Sequence, residues 1–292
     1  MTPQNIQEVI KAVQNDISNH LGDVLFPRFR NATTPYASLL AKAQQVGFPE
    51  EYLPQGLDPE QAWQYCCRRT TKLDDYLLRA VSKTADEIVW AVVRENKDKA
   101  NKVLSYTQIS NMTLNRHTGT VSAEHPEHPV VGAVLVNHAQ MVGSVTTDQI
   151  RKMVQDVAQK LSGVPMGTCW FLPAVHGAIT RAMKAMVEGL GASEMGLLPI
   201  YDSQESRQGI SDAVRADLQD EINACKEEIA NFTQDSTRIG TLERRLAKFD
   251  ELRNRAKLYS AMVEVIHDDL DQEISKLEAS VAEMIGVKKN TK

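Results

Sequence analysis

Aromatic residues are scarce: Phe, Trp and Tyr supply 5% of the 292 residues. A broad platform for stacking nucleobases, which needs successive aromatic side chains, is therefore not expected. Basic charge is not in excess either. Lys and Arg number 33 against 38 Asp and Glu, a net charge of −5 at pH 7. Attraction of the whole molecule to nucleic acid or to an anionic membrane is not expected, although a local basic face is not excluded. No uncharged apolar run approaches the roughly 20 residues that span a bilayer. The start, Met1-Thr-Pro-Gln-Asn, lacks the basic and apolar regions of a secretory signal. The four cysteines are Cys66, Cys67, Cys169 and Cys225, and none makes a C-x-x-C pair. A disulfide framework or structural zinc site is not expected, and a reducing cytoplasm is the natural compartment.

What is present in quantity is helical periodicity. The 42% hydrophobic and 24% charged fractions are those of a globular protein with a sizeable core. Thr2 and Pro3 open a helix whose apolar face is Ile6, Val9, Ile10, Val13, Ile17 and Leu21, with Gly22 at its exit. A short helix follows Pro35 and ends at Gly47, and Phe48 to Leu57 reads as an ordered loop. Asp58 with Gln61 is a capping-box variant around Pro59, predicting a helix through Trp63 towards Leu78. Residues 1–85 thus read as a helical N-terminal region.

Residues 86–205 read as an α+β body. Ile88 to Val93 suits a buried strand. Val103 to Leu114 forms one long strand or two short ones, and Arg116 to Gly119 turns into Thr120–Ala123, completing an antiparallel meander. The segment from Val130 to Met141 has helical spacing, with a strand through Val130–Val136 as the alternative. Thr146 and Gln149 cap a further helix ending at Gly163. Thr168–Leu172 then reads as strand, Val175–Leu190 as helix and Leu197–Tyr201 as strand, a sequence that suggests a ferredoxin-like second half. Pro199 places that last strand at a sheet edge.

Residues 206–292 read as a long antiparallel helical hairpin or coiled coil. One apolar stripe runs Val214, Leu218, Ile222, Cys225 and Ile229, and a longer one from Leu242 to Ile285. Acidic residues prevail from Asp212 to Glu228 and basic ones from Arg238 to Lys257, so two helices joined near Asn231–Ser236 set opposite charges side by side. Beyond Glu264 the chain is acidic again. The seam of Val263, Ile266, Leu270, Ile274, Leu277 and Val281 outruns the first hairpin helix, and must bury against the body or against a second copy. A homo-oligomer is the partner this implies.

Chemistry-bearing residues give weaker signals. His125-Pro-Glu-His128 sets two histidines beside two carboxylates, but its prolines favour an extended solvated loop over a metal site. His176 follows a strand carrying Cys169, which invites a Cys–His nucleophile pair, although Cys169 beside Trp170 and Phe171 suits a core better. The glycines of Gly163–Thr168 and Gly189–Ser193 lack phosphate-loop spacing and read as helix ends. No metal and no cofactor is called for. Arg68, Arg69, Lys72 and Arg79 make a basic end to the third N-terminal helix. With Lys152, Lys160, Arg181 and Lys184 they would hold nucleic-acid phosphates if they converged.

The block Asp58-Pro-Glu-Gln-Ala-Trp-Gln-Tyr-Cys-Cys-Arg68-Arg69-Thr70, the W-x-V-V-R-E strand at Trp90–Glu95 and the V-P-M-G-T-C-W-F-L-P-A-V-H segment at Val164–His176 resemble a family of uncharacterised prokaryotic and phage proteins. That resemblance implies a prokaryotic or phage cytoplasmic protein and carries over no catalytic residue. The expectation is an α+β, predominantly helical, non-enzymatic interaction protein that self-associates through its C-terminal helices. Nucleic-acid binding through a basic face comes second, and a hydrolase or metal-dependent enzyme third.

Overall fold

The computed structural model describes residues 19–69, 76–97, 104–232, 238–263 and 268–290. Helix takes 56% and strand 25% of them, an α+β fold. The helix expected over residues 2–21 lies outside this set except at its end. There the expectation fails, because Leu21 and Gly22 belong to strand β1 (His20–Arg28). Gly22 is needed there for packing, since a Cβ would sit 2.2 Å from the Leu172 carbonyl oxygen on the neighbouring strand.

After β1 come the short strand β2 (Thr34–Pro35) and helix α1 (Tyr36–Val46), which Gly47 ends in the left-handed conformation at φ 70°. Helix α2 (Pro59–Arg69) begins at the anticipated capping box. The Gln61 amide donates to Asp58 Oδ1 at 2.7 Å, and the Asp58 amide donates to Gln61 Oε1 at 3.2 Å. It does not reach Leu78, because Tyr76–Lys83 is drawn into a sheet as β3. Strands β4 (Glu87–Lys97), β5 (Leu104–Asn115) and β6 (Val121–Ala123) follow. Leu104–Asn115 is thus one long strand, and Val103 lies outside the described residues.

Helix α3 (Pro129–Met141) settles Val130–Val136 as helix, not strand. Next come β7 (Ser144–Val145), α4 (Thr147–Lys160), β8 (Val164–Met166), β9 (Cys169–Pro173), a 3-10 turn at Ala174–His176, α5 (Gly177–Glu188) and β10 (Glu194–Tyr201). Three long helices close the chain: α6 (Gln204–Ala230), α7 (Ile239–Val263) and α8 (Asp268–Asn290).

The chain forms two compact units, each discontinuous in sequence. Unit 1 comprises residues 1–28, 155–184 and 195–292; unit 2 comprises 29–154 and 185–194. In unit 1 the sheet order is β10-β1-β9-β8. Strand β1 runs antiparallel to β9, with Val24 opposite Phe171, and β8 runs antiparallel to β9, with Val164 opposite Phe171. β10 also runs against β1: the Asp202 amide donates to the Asn19 carbonyl, while Gly196 faces Phe26. The connectivity β1-α4-β8-β9-α5-β10 in this order is the split βαββαβ, ferredoxin-like arrangement. Its first strand comes from far upstream, not from the region after Ile88. Pro199 does sit on an edge strand.

The Val164–Phe171–Val24 row packs into one hydrophobic cluster with α6, α7 and α8. These helices form a three-helix bundle where the sequence suggested a two-helix hairpin, and α8 supplies the third wall. The charge match between α6 and α7 is present: Lys248 lies 2.7 Å from Glu221, and Arg245 pairs with Glu228.

In unit 2 the meander runs in order β3-β4-β5-β6. One face packs on α2 and α3, with Trp63, Cys67, Val92, Met112 and Val134 all fully buried. Burying each such large apolar side chain is worth about 1.5–3 kcal/mol, so α2 is held to the sheet by packing, not by helix propensity.

Candidate functional site

The Trp63, Cys66 and Cys67 side of α2 faces the meander, which turns Glu60, Gln64 and Arg68 to the surface at intervals of four. Gln64 Nε2 donates to Glu60 Oε1 at 3.0 Å, and Arg68 to Gln64 Oε1 at 3.5 Å. Glu60 is clamped between Lys83 at 2.8 Å and Arg116 at 2.9 Å. The Lys83 hydrogen bond holds its carboxyl below the usual range, against an opposing desolvation, with Arg116 adding to the downward effect.

A cleft of about 730 Å³ lies beside this row. Its walls are the start of α2, the Tyr65, Arg68 and Arg69 end of the same helix, and the start of α4. The second capping box forms that far wall: the Gln149 amide donates to Thr146 Oγ1 at 3.2 Å, and the Thr146 amide to Gln149 Oε1 at 2.9 Å. Gln149 Nε2 also donates to the Gln55 carbonyl at 3.1 Å, tying in the loop before α2. Gly56 permits that loop's path, because a Cβ there would meet the Gly143 carbonyl oxygen at 2.6 Å. Across the cleft Arg69 stacks over the Tyr65 ring at 4.7 Å and reaches Asp148 at 3.4 Å. A smaller lobe of about 360 Å³ lies on the other side of Gln64 and Arg68, floored by Ile88 and Trp90 and edged by β3.

This is not a phosphate cradle. Free N–H groups at a helix start are what bind an anion; here each capping box takes one of them, and Asp58, Glu60 and Asp148 stand among the cations. The cleft offers amides, guanidinium groups and an aromatic ring, with its clamped carboxylate kept ionised.

The residues proposed to hold nucleic acid divide. Arg68, Arg69 and Lys152 belong to unit 2, whereas Arg181 belongs to unit 1, where its guanidinium lies over Gly177. Lys72 lies outside the described residues. Arg79 is on β3, not at a helix end, over the Tyr106 ring at 5.9 Å. Lys184 donates to the Met195 carbonyl at 2.7 Å. Cys169 opens β9, which spans about 13 Å at 3.3 Å per residue, and His176 lies in the 3-10 turn beyond its far end. Burial lowers the His176 pKa. His125 pairs with Glu127 at 3.2 Å, while His128 packs edge-on to Tyr76 at 5.0 Å, so the two histidines serve different neighbours. Among the described residues no three His, Cys, Asp or Glu side chains converge as metal ligands would. Gly167 is a hairpin turn between β8 and β9 at φ 66°, not a helix end. No described helix is long and apolar enough to cross a membrane.

Four of the six proposed interface residues, Val263, Leu270, Ile274 and Val281, are at most 2% exposed inside the chain's own bundle. Leu277 is partly buried against the same cluster, and Ile266 lies outside the described residues. Among the described seam residues, these four are covered by the chain's own helices. What sequence reasoning missed is the far wall of the cleft, Asp148 and Gln149, together with Lys83 and Arg116. The capping boxes marked both helix starts, but nothing local in sequence brings residues 58 and 146 together.

Comparison with known proteins adds one finding. A family model described as a family of unknown function, DUF6744, matches residues 20–290. The chain belongs to DUF6744. No curated protein and no solved structure matches it. The match in DUF6744 takes in both compact units, so the α2 cleft and the three-helix bundle fall within one family's span.

Proposed function

We propose that this DUF6744 chain is a non-enzymatic interaction protein of the cytoplasm that engages a protein partner through the α2 face of unit 2. The observation that carries the reading is the state of the cleft groups. Glu60 is clamped by Lys83 and Arg116, and Asp148 is shared by Arg69 and Arg151, the latter at 2.7 Å. A general acid or base works best with a pKa tuned towards the operating pH; Glu60 is shifted the other way. Amides and exposed guanidinium groups around a concavity are recognition groups. A cytoplasmic setting fits four cysteines that stand as free thiols.

The test is a photo-reactive side chain placed at Gln64 in the full chain, expressed in the cell that naturally makes it. A protein adduct is expected at Gln64 and none from the exposed control position Asn254 on α7. A nuclease-sensitive adduct alone, or no adduct, overturns the reading. Nucleic acid is the second reading, favoured by Arg69 stacked on Tyr65 with Arg68 beside it. Fluorescence anisotropy with single- and double-stranded DNA and RNA at low salt decides it, because phosphate contacts give affinity that falls steeply with salt.

A further inference from the structure

We propose that α2 and the edge of β3 form a groove that takes an extended, acidic segment of a partner protein as an added strand. The inference rests on the interaction reading above and names the partner's chemistry.

β3 ends the meander and, among the described strands, pairs only with β4. Its last five residues, Arg79 to Lys83, are all exposed, so the outer rim of the strand is open along that length. Such a rim presents backbone N–H and C=O groups ready to pair with another chain. Natural edges are often blunted by proline, and β10 in unit 1 carries Pro199. No proline blunts β3.

A β-bulge between Ala80 and Ser82 makes Val81 the extra residue, and Val81 is 58% exposed. Bulges re-aim side chains in this way. Val81 therefore edges the smaller lobe, whose floor is Ile88 and Trp90 and whose opposite wall is Gln64 and Arg68 on α2. A helix lying beside an open edge strand with an apolar lobe between them is the geometry of strand addition. Main-chain hydrogen bonds hold the incoming segment, and alternate side chains enter the lobe.

Charge selects the occupant. Lys83 and Arg68 line the lobe, and Arg69 follows Arg68 on α2. A segment alternating apolar residues with Asp or Glu would seat the former over Trp90 and the latter against these cations. A second copy is disfavoured, because two β3 edges pairing antiparallel would set Arg79 and Lys83 of each against those of the other, and like charges across strands destabilise. Nucleic acid has no strand to offer the edge.

The experiment selects displayed linear peptides on the intact full chain. The synthesised consensus peptide is then followed by amide hydrogen exchange. Selected sequences should alternate apolar and acidic residues, and the peptide should slow exchange within Arg79–Lys83. Arg68→Glu and Val81→Lys, both at exposed positions, should each weaken binding about tenfold or more with an unchanged melting curve. Should either fail to fold, Val81→Glu, which sets a carboxylate at the lobe, replaces it. Basic consensus sequences, no enrichment, unchanged exchange at Arg79–Lys83, or binding of single-stranded DNA at this edge overturns the proposal. A protein adduct at Gln64 with no edge protection fails strand addition alone; absence of both fails the interaction reading as well.

Discussion

In the C-terminal bundle the Arg255 side chain is 5% exposed and pairs with Asp217 and with Glu221, the latter at 2.8 Å. Beside the α2 cleft the Arg69 side chain is 61% exposed and pairs with Asp148, itself 60% exposed. Both are arginine–carboxylate pairs across two helices, yet they differ in what can replace them. Nothing takes the place of a partner for Arg255, because taking a charge out of water costs several kcal/mol unless it is met inside. Water or an incoming carboxylate can replace Asp148 at little cost. The first pair fixes which register α6 and α7 adopt. The second is a contact that a ligand can exchange.

The largest effect should follow from breaking the buried pair. Arg255→Met leaves Asp217 and Glu221 facing each other without their shared cation, and should cost about 3–5 kcal/mol in urea unfolding of the full chain. A loss below about 1 kcal/mol would erase the distinction between the two regions. Next comes the seam. Ile274→Ala, at a fully buried position, should cost about 2–5 kcal/mol. Because α6 and α7 of the same chain cover it, the fall in Tm should be the same at low protein concentration and at one roughly hundredfold higher. A concentration-dependent Tm would point to a second copy in the bundle.

The carboxylates of that network should separate by pH. For Asp217, burial raises the pKa and Arg255 only partly offsets it. For Glu221 burial also pushes upward, but Lys248 and Arg255 more than reverse it, and the net direction is down. Glu221 therefore contributes stability that is full above its ordinary value of 4.5 and lost as pH falls through its lower folded value. Asp217 does the opposite. Its ionised form costs stability above its raised folded value, and that cost vanishes as pH falls towards 3.8. Glu221→Gln should flatten the loss of Tm on acidification, and Asp217→Asn should steepen it. The reverse order would mean that Arg255 belongs chiefly to Asp217.

How far the sequence revealed this contrast depends on range. Interactions three or four residues apart were legible: Asp58 with Gln61, Thr146 with Gln149, and the apolar stripes of α6 and α7. The charge complement of α6 and α7 was legible too, because a short connection makes them neighbours. The strand identity of His20–Arg28 was not. Its partner is Cys169–Pro173, nearly 150 residues away, and Leu21 continued the period of the preceding residues. The start of β3, Tyr76–Leu78, was absorbed into the helix before it for the same reason: its pairing with β4 overrides local pattern. The end of the seam was misread because α8 was taken as a continuation of α7. In fact it turns back, so that Arg253 of α7 meets Asp271 at 3.2 Å and Glu278 at 2.6 Å. The cleft's far wall was invisible because it joins residues separated by 79 positions, as Arg69 and Asp148 are, or by 94, as Gln55 and Gln149 are.

In unit 2 the caps should matter more than the ion pairs. Asp58→Ala removes the acceptor for the Gln61 amide and should cost about 1 kcal/mol. The loss should appear at the start of α2, as faster amide exchange there, and leave the exchange of α7 unchanged. Equal acceleration in α7 would show that the caps support the whole chain.

The smallest effect on stability, and the most informative about function, should come from Arg69→Ala. Exposed pairs of this kind contribute about 0–1 kcal/mol, so Tm should barely move. The guanidinium also stacks on Tyr65 and bridges the cleft to Asp148, so its loss opens one wall and frees a carboxylate. If the cleft serves recognition, Arg69→Ala should weaken an acidic partner peptide severalfold while Asp148→Asn, which releases Arg69 from its internal partner, strengthens it. That opposition cannot arise from a stabilising pair, whose two halves would fall together. Equal and parallel effects of the two substitutions would place Arg69 and Asp148 with the scaffold, and the contrast with Arg255 would then be one of degree alone.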